Sequence, residues 1–249
     1  MRRHIINILI LALLTLAFGC TSVNRIQKNM NKYMYSMAYE QDSIVAKPKY
    51  GISVFVDTVL FNPGLMNDTT IVTREKGWFL PLVFVYIWDS QNTCTQGKKI
   101  IADDIPSFCK AAFVQEINRS GRFFSDTLQN SVYSIELSID EIKTEGPYIS
   151  KGFFYFIVFA TGFSYADRAG PALSTLSISY KLKKGLDVVH CNSFKSEQFT
   201  QTMSKLYITV DGLQQDYAET MVMALSANFR NVIELIVDDL NTYFDSQRK

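Results

Sequence analysis

Apolar positions along the chain change period several times, and each change marks an element. Ile52-Ser53-Val54-Phe55-Val56-Asp57-Thr58-Val59 is mostly apolar and β-branched, with three consecutive apolar residues, which predicts a well-buried strand. Asn62-Pro63-Gly64 is a turn signal. From about Asp104 to Arg119, Ile105, Phe108, Cys109, Ala112, Phe113, Glu116 and Ile117 recur at helical spacing. Asp103 or Asp104 can cap this helix, Pro106 suits its first turn, and Gly121 is the stop, free to take the left-handed conformation. Tyr133, Ile135, Leu137 and Ile139 then alternate with Ser134, Glu136, Ser138 and Asp140, the signature of a strand with one face in the core. Leu176, Ile178, Tyr180 and Leu182 alternate again, Lys183-Lys184-Gly185 turns the chain, and Leu186 to Phe199 returns as a hairpin. A long helix over about Gln215 to Phe244 closes the pattern. Its stripe is Tyr217, Met221, Leu225, Phe229, Val232, Ile236, Leu240 and Tyr243, with Asp211 or Gly212 near its start. These elements predict a single α+β domain: an antiparallel-rich twisted sheet packed by two main helices, about 104–119 and 215–244.

Two apolar segments do not fit simple alternation. Trp78 to Trp88 carries no polar side-chain group beyond one tyrosine hydroxyl and the indole N–H groups, and Phe153 to Ala160 is similar. Each follows a glycine, Gly77 and Gly152, and neither is long enough to span a bilayer as a helix. Three readings stand. They are fully buried segments or two edges packing on each other. They form an exposed aromatic surface that enters a bilayer interface or docks on a membrane partner. Or segments 78–88 and 153–163 line a groove for a lipid or other amphiphile. The candidate contact residues are Trp78, Phe79, Phe84, Trp88, Phe153, Phe154, Phe156 and Phe159.

The N-terminus reads as an address. Arg2 and Arg3 precede an apolar run from Ile5 to Phe18, which has the layout of a secretory signal and is too short for a spanning helix. Leu16-Ala17-Phe18-Gly19-Cys20 resembles a bacterial lipobox, in which the cysteine is acylated and becomes the first mature residue. An ordinary signal peptide with an incidental cysteine, and an uncleaved anchor, are the competing readings. The lipobox resemblance implies a signal peptide at 1–19 and a lipidated Cys20. The polar, aperiodic stretch that follows makes 20–49 a tether, with a short helix around Met30 to Tyr39, and the change of texture at Tyr50 starts a globular domain at 50–249. The lipobox resemblance also implies attachment to the membrane through acylated Cys20. Thr21 after the cysteine points by the same resemblance to the outer membrane of a Gram-negative bacterium. No acidic cluster follows, so the periplasmic face is expected.

Composition removes several functions. With Lys and Arg at 25 against Asp and Glu at 24, the chain lacks the broad basic surface of a nucleic-acid binder. The only histidines are at 4 and 190, and no zinc, calcium or phosphate-loop motif occurs, so neither metal nor cofactor is expected. Cys94, Cys109 and Cys191 contain no CxxC. Cys109 falls at a core position as a buried free thiol, while a Cys94–Cys109 pair remains an alternative. Gly162-Phe163-Ser164-Tyr165-Ala166 approximates a nucleophile elbow, which makes a serine hydrolase at Ser164 with His190 and Asp187 a minor alternative. His190 and Cys191 are adjacent in a strand and point to opposite faces. Asp42-Ser43-Ile44, Asp57-Thr58-Val59, Asp68-Thr69-Thr70 and Asp126-Thr127-Leu128 resemble a short O-glycosylation sequon of some Gram-negative envelopes. Asp57-Thr58 is expected to be buried and coincidental.

The order of elements, with the helix end Ile117-Asn118-Arg119-Ser120-Gly121-Arg122-Phe123, resembles periplasmic lipoprotein groups: the auxiliary lipoproteins of ABC-type lipid transporters and the curli-secretion type of outer-membrane lipoprotein. The likeness covers about Tyr50 to Tyr243. It implies a non-enzymatic, periplasm-facing subunit or adaptor in envelope transport or assembly, whose partners are the membrane, an envelope protein, or a lipid.

Overall fold

A computed structural model describes residues 23–39, 49–66, 70–73, 78–80, 85–157, 160–204 and 209–248. The signal segment, Cys20, and the sequons at 42 and 68 lie outside them. Among the described residues, three helices pack on one mixed sheet of ten strands. The helices are α1 (Val23–Met30), α2 (Ile105–Ser120) and α3 (Val210–Ser246). The strands are β1 (Ser53–Phe61), β2 (Thr70–Thr73), β3 (Trp78–Leu80), β4 (Val85–Thr95), β5 (Phe124–Ser125), β6 (Tyr133–Ile157), β7 (Ala160–Ala169), β8 (Leu173–Lys184), β9 (Asp187–Phe199) and β10 (Met203–Ser204). The α+β class is as the patterning predicts.

Strand β6 organises the sheet. Its alternating first half lies between β1, which runs parallel to it, and β8. From Glu145 onward its neighbours are β4 and β7. Strands β7 and β8 thus follow one another along one side of β6, separated by Gly170 and Pro171, where Gly170 has a φ of 76°. The row Ile135, Leu137 and Ile139 faces the core, and the buried side of α3 (Leu213, Tyr217, Met221, Leu225, Phe229, Val232, Ile236, Leu240, Phe244) covers it. Helix α3 is long and apolar enough to cross a membrane, yet this apolar stripe is spent on the sheet.

Several local predictions change in detail. Thr209 caps α3 by accepting a hydrogen bond from the Gly212 N–H (3.0 Å), so the helix starts before Gln215. Asp104 caps α2 through the Ser107 N–H, while Asp103 accepts from the Met37 N–H. Gly121 is not left-handed; its φ is −68°. Glycine is needed there because a Cβ would lie 2.6 Å from the Ile117 carbonyl oxygen. The helix end is closed instead by Lys49, whose ammonium donates to the carbonyls of Ile117, Asn118, Gly121 and Phe123 at 2.7–3.1 Å. Strand β1 is buried only in its first half. An irregularity between Val56 and Val59 turns both Asp57 and Thr58 outward, so that sequon is exposed and not buried. Thr127 is exposed as well.

The predicted tether is the largest departure. The helix lies at Val23–Met30 and not at Met30–Tyr39, and it buries Ile26, Asn29 and Met30. Residues 35–39 run extended along α3 and α2: the Tyr35 N–H donates to the Ile100 carbonyl, the Ala38 N–H to Ser226 Oγ, and the Tyr39 hydroxyl to Glu116. Glu116 is 1% exposed. Burial pushes its carboxyl pKa up, but hydrogen bonds from Arg119, Ser120 and Tyr39 outweigh burial and hold it below the ordinary 4.5.

A carboxylate with a depressed folded pKa stabilises the fold above its unfolded pKa and loses that contribution as pH falls through the folded value. The stability difference between the parent and Glu116→Gln, read from urea midpoints across pH, is therefore expected to be full above about 5 and to shrink steadily below the ordinary 4.5.

Candidate functional site

The two aromatic segments are neighbours in the sheet. Leu80 pairs with Val85 and Trp78 with Ile87 between β3 and β4. Val85, Tyr86, Ile87 and Trp88 pair with Tyr155, Phe154, Phe153 and Gly152. Phe153, Phe154 and Tyr155 pair on their other side with Ser164, Phe163 and Gly162. The result is an aromatic arm built from β3, the start of β4, the end of β6 and the start of β7.

Directly opposed residues of antiparallel strands share a face, so each face of the arm can be read in rows. On the face that α3 covers lower down, the rows are Asn92–Tyr148–Ala169, Ser90–Ser150–Asp167, Trp88–Gly152–Tyr165 and Tyr86–Phe154–Phe163. Exposure climbs along this face of β7: Ala169 is 0% exposed, Asp167 2%, Tyr165 41% and Phe163 70%. Tyr86 stacks on Trp88 with centroids 5.7 Å apart, and Phe163 on Tyr165 at 6.0 Å. On the opposite face Phe153 stacks on Tyr155 at 6.3 Å, and Phe153 is 43% exposed. The charge boundary is sharp. Residues 77–88 and 152–166 contain no ionisable acid or base other than tyrosine hydroxyls, and immediately below them Lys151 pairs with Asp89 at 2.6 Å.

Glycines let the rings lie flat. A Cβ on Gly152 would sit 2.2 Å from the Trp88 ring, and one on Gly162 would sit 2.4 Å from the Tyr155 ring. Each aromatic therefore crosses its neighbouring strand at a glycine, a close approach that any side chain would block. Trp88 is only 8% exposed and its indole N–H donates to Ser150 Oγ at 3.3 Å. This corrects its place among the contact candidates: it packs the base of the arm. Phe153 is exposed and Phe154 half-buried. Trp78, Phe79 and Phe156 are described through their strand pairing alone, and Phe84 and Phe159 lie outside the described residues. Phe163 and Tyr165, absent from the candidate set, expose large parts of their rings; the signal for them was a period-two aromatic pair within 153–165.

A polar relay, buried at Tyr148, Asp167 and Gln214 and exposed at its Arg25–Asp211 end, holds the base of the arm to the helices. Tyr148 donates its hydroxyl to Asp167 at 2.9 Å and accepts from Gln214 Nε2 at 3.1 Å. Asn29 donates to Gln214 at 2.8 Å and to Asp211 at 2.9 Å, and Arg25 pairs with Asp211 at 2.9 Å. Burial, followed by the Asp167 charge, pushes the Tyr148 hydroxyl pKa well up, so it acts as a fixed donor. The row of links runs from β7 through β6 and α3 to α1.

The other candidates are placed apart. Ser164 lies inside β7 opposite Phe153, within a regular strand and not at a strand-to-helix turn. His190, on β9, bonds Asp239 of α3 at 3.0 Å and stacks on Tyr243 at 4.7 Å. Asp187 begins β9, where it pairs with Lys184. Cys94 and Cys109 are buried free thiols, with burial pushing both up to about 12, and Cys191 is exposed. Among the described residues no three His, Cys, Asp or Glu side chains gather as a metal set. A shallow depression of about 370 Å³ on the arm is lined by residues including Trp88, Lys151, Phe153 and Tyr165. A second cavity, of about 380 Å³, lies between residues 35–38 and α3.

No family model matches the chain, and no curated protein matches it. Among solved structures, it is similar to a Xanthomonas campestris protein of the DUF330 family. That match has a TM-score of 0.46 and 10% identity, over 86% of this chain and 99% of that one.

The arm yields a direct contrast. Trp88→Ala removes a ring packed on Gly152 and is expected to cost about 3 kcal/mol. Phe163→Ala, on a mostly exposed ring, is expected to change stability by no more than about 0.5 kcal/mol. Urea denaturation of both variants checks the difference.

Proposed function

We propose that this chain is a periplasm-facing lipoprotein of a Gram-negative outer membrane, held by an acylated Cys20, that serves as a non-catalytic subunit or adaptor in envelope transport or assembly. The observation that carries this reading is the aromatic arm. An uncharged sheet end with Phe163 at 70% and Phe153 at 43% exposure, set among further rings, is a contiguous aromatic patch of the kind that marks interaction sites. The lipobox at Leu16 to Cys20 supplies the envelope context. The signal peptide, the acyl chains and the periplasmic face all follow from that same resemblance.

The reading of the arm as a deep lipid groove gains less support. The depression on the arm is shallow, whereas small-molecule sites enclose most of their ligand.

Two measurements test the proposal. Cells fed labelled palmitate are expected to label the chain and not its Cys20→Ala variant, with the labelled chain in outer-membrane fractions. Photocrosslinkers at Phe163 and Phe153 in intact cells are expected to capture an envelope component, lipid or protein, while one at Leu186, 99% exposed at the β8–β9 turn, captures none. An unlabelled chain, or capture no different between arm and turn, overturns it.

A further inference from the structure

The start of α1 and the arm lie at the same end of the described structure. From Tyr39 back to Arg25 the chain tracks α3 toward its start. Ala38 meets Ser226, the Tyr35 hydroxyl donates to the Gln215 carbonyl, Asn29 bonds Gln214 and Asp211, and Arg25 reaches Asp211. Strand β6 runs the same way. Phe244 packs against Tyr133, Asn228 bonds Ser174 of the neighbouring strand, and Gln214 bonds Tyr148. Beyond that last bond α3 continues to Val210, roughly 6 Å of helix. Beyond Tyr148, β6 continues to Ile157, roughly 30 Å of strand. The arm therefore projects past the helix at the end where α1 begins.

Only Thr21 and Ser22 separate Cys20 from Val23, the first residue of α1. Three peptide steps reach at most about 11 Å. Because α1 is fixed to α3 by Asn29 and Arg25 and buries Ile26 and Met30, an acylated Cys20 holds the domain against the bilayer, with no long tether between them.

We infer that the aromatic arm inserts into the interface of the phospholipid bilayer in which the Cys20 acyl chains sit. The inference rests on the lipoprotein reading above. The arm's chemistry fits this occupant. Its rings stand on both faces, Tyr86, Tyr155 and Tyr165 carry hydroxyls suited to the headgroup level, and charge resumes at Asp89 and Lys151. The uncharged end of β6, from Gly152 to Ile157, is roughly 17 Å long. Its depth is limited because β3 at one side of the arm, and β7 above Arg168 at the other, have no further strand partner among the described residues. Unpaired backbone is costly in hydrocarbon but not in the wet interface. Acyl chains and arm then make two attachments, which fix both residence and orientation.

The test uses the full acylated chain carrying Cys191→Ser, reconstituted in phosphatidylethanolamine–phosphatidylglycerol vesicles whose acyl chains bear bromine. An environment-sensitive fluorophore is placed through Phe163→Cys or, on the opposite face, Ser164→Cys, with Leu186→Cys as the far control. Cys94 and Cys109 are buried and do not compete for the label. The arm probes are expected to lose most of their emission to the brominated chains and to resist aqueous iodide, with the Leu186 probe doing the reverse. If the chain is palmitate-labelled and floats with vesicles while the arm probes behave like the control, the inference is overturned and the lipoprotein reading stands. A chain neither labelled nor floating overturns both. Arm probes open in vesicles but crosslinked to one protein in cells also overturn it and assign the surface to that protein.

Discussion

The structure depends on a mismatch of length between β6 and α3. The strand carries core-facing positions at Ile135, Leu137 and Ile139 and, after an irregularity between Ile139 and Glu141 that shifts the alternation by one residue, from Ile142 to Tyr148 and onward to Phe154. The helix that covers this row starts near Tyr148. Below that point the row is paired with Tyr217, Leu225 and Phe229 and disappears from solvent. Above it the same row has no helix to bury it, so the neighbouring strands must supply what packing there is. On this face they do so by laying Trp88 on Gly152, and on the opposite face Tyr155 crosses Gly162 in the same way. These contacts bury an indole, but they leave Phe163 and Tyr165 in water. Within one strand, then, the hydrophobic effect finishes its work in one half and leaves it undone in the other.

The handover between the two halves is polar. Tyr148, Asp167 and Gln214 are each buried, and each is at or next to a point where an element begins, ends or changes partner. Burying a carboxylate such as Asp167 is expensive unless hydrogen bonds offset the loss of water, and Tyr148 provides one. Apolar residues would have filled this space at lower cost. A directional set of bonds does something they would not: it fixes β6 and β7 against the first turns of α3 in one register and ties α1 to the same point through Asn29. The arm, the long helix and the N-terminal helix thereby share a single anchor in the fold.

What the sequence made legible follows from the same physics. Helices α2 and α3, the first half of β6 and the β8–β9 hairpin have one apolar and one polar face, and one-sided burial leaves a period. The arm has rings on both faces, so segments 78–88 and 153–163 carry no period, and their partnership is a long-range pairing that spacing does not encode. The only trace was the glycine before each segment; Gly152 proved to be the seat of Trp88, from the other segment. Helix α1 was hidden because its apolar contact is confined to Ile26 and Met30, set among Asn, Arg, Gln and Lys. Residues 20–49 therefore read as solvent-loving, although their described part lies folded on α3 from Val23 onward. Gly121 ends α2 as its place in the pattern predicts, but crowding by Ile117, and not backbone handedness, requires glycine there.

The proposed acylation of Cys20 gives the position of α1 a mechanical consequence. A long polar leader would let a domain sample all orientations above a membrane, and its surface chemistry would matter little to where it sits. On the proposed acylation of Cys20, a spacing of two residues before Val23 would remove most of that freedom, and the surface beside α1 would face the headgroups. Here that surface leads into a sheet end without charge among its described residues, and the ion pair of Asp89 and Lys151 marks where charge resumes. The far end of the sheet is built differently. The β8–β9 hairpin closes with Lys183 and Lys184 beside Asp187, and β8 alternates polar with apolar residues on its way there. If the proposed anchor holds the chain beside its aromatic end, the contrast between that end and the lysine-bearing hairpin would set the orientation of the domain. That polarity, more than any single pocket, is the property on which a role between a membrane and its surroundings can be built.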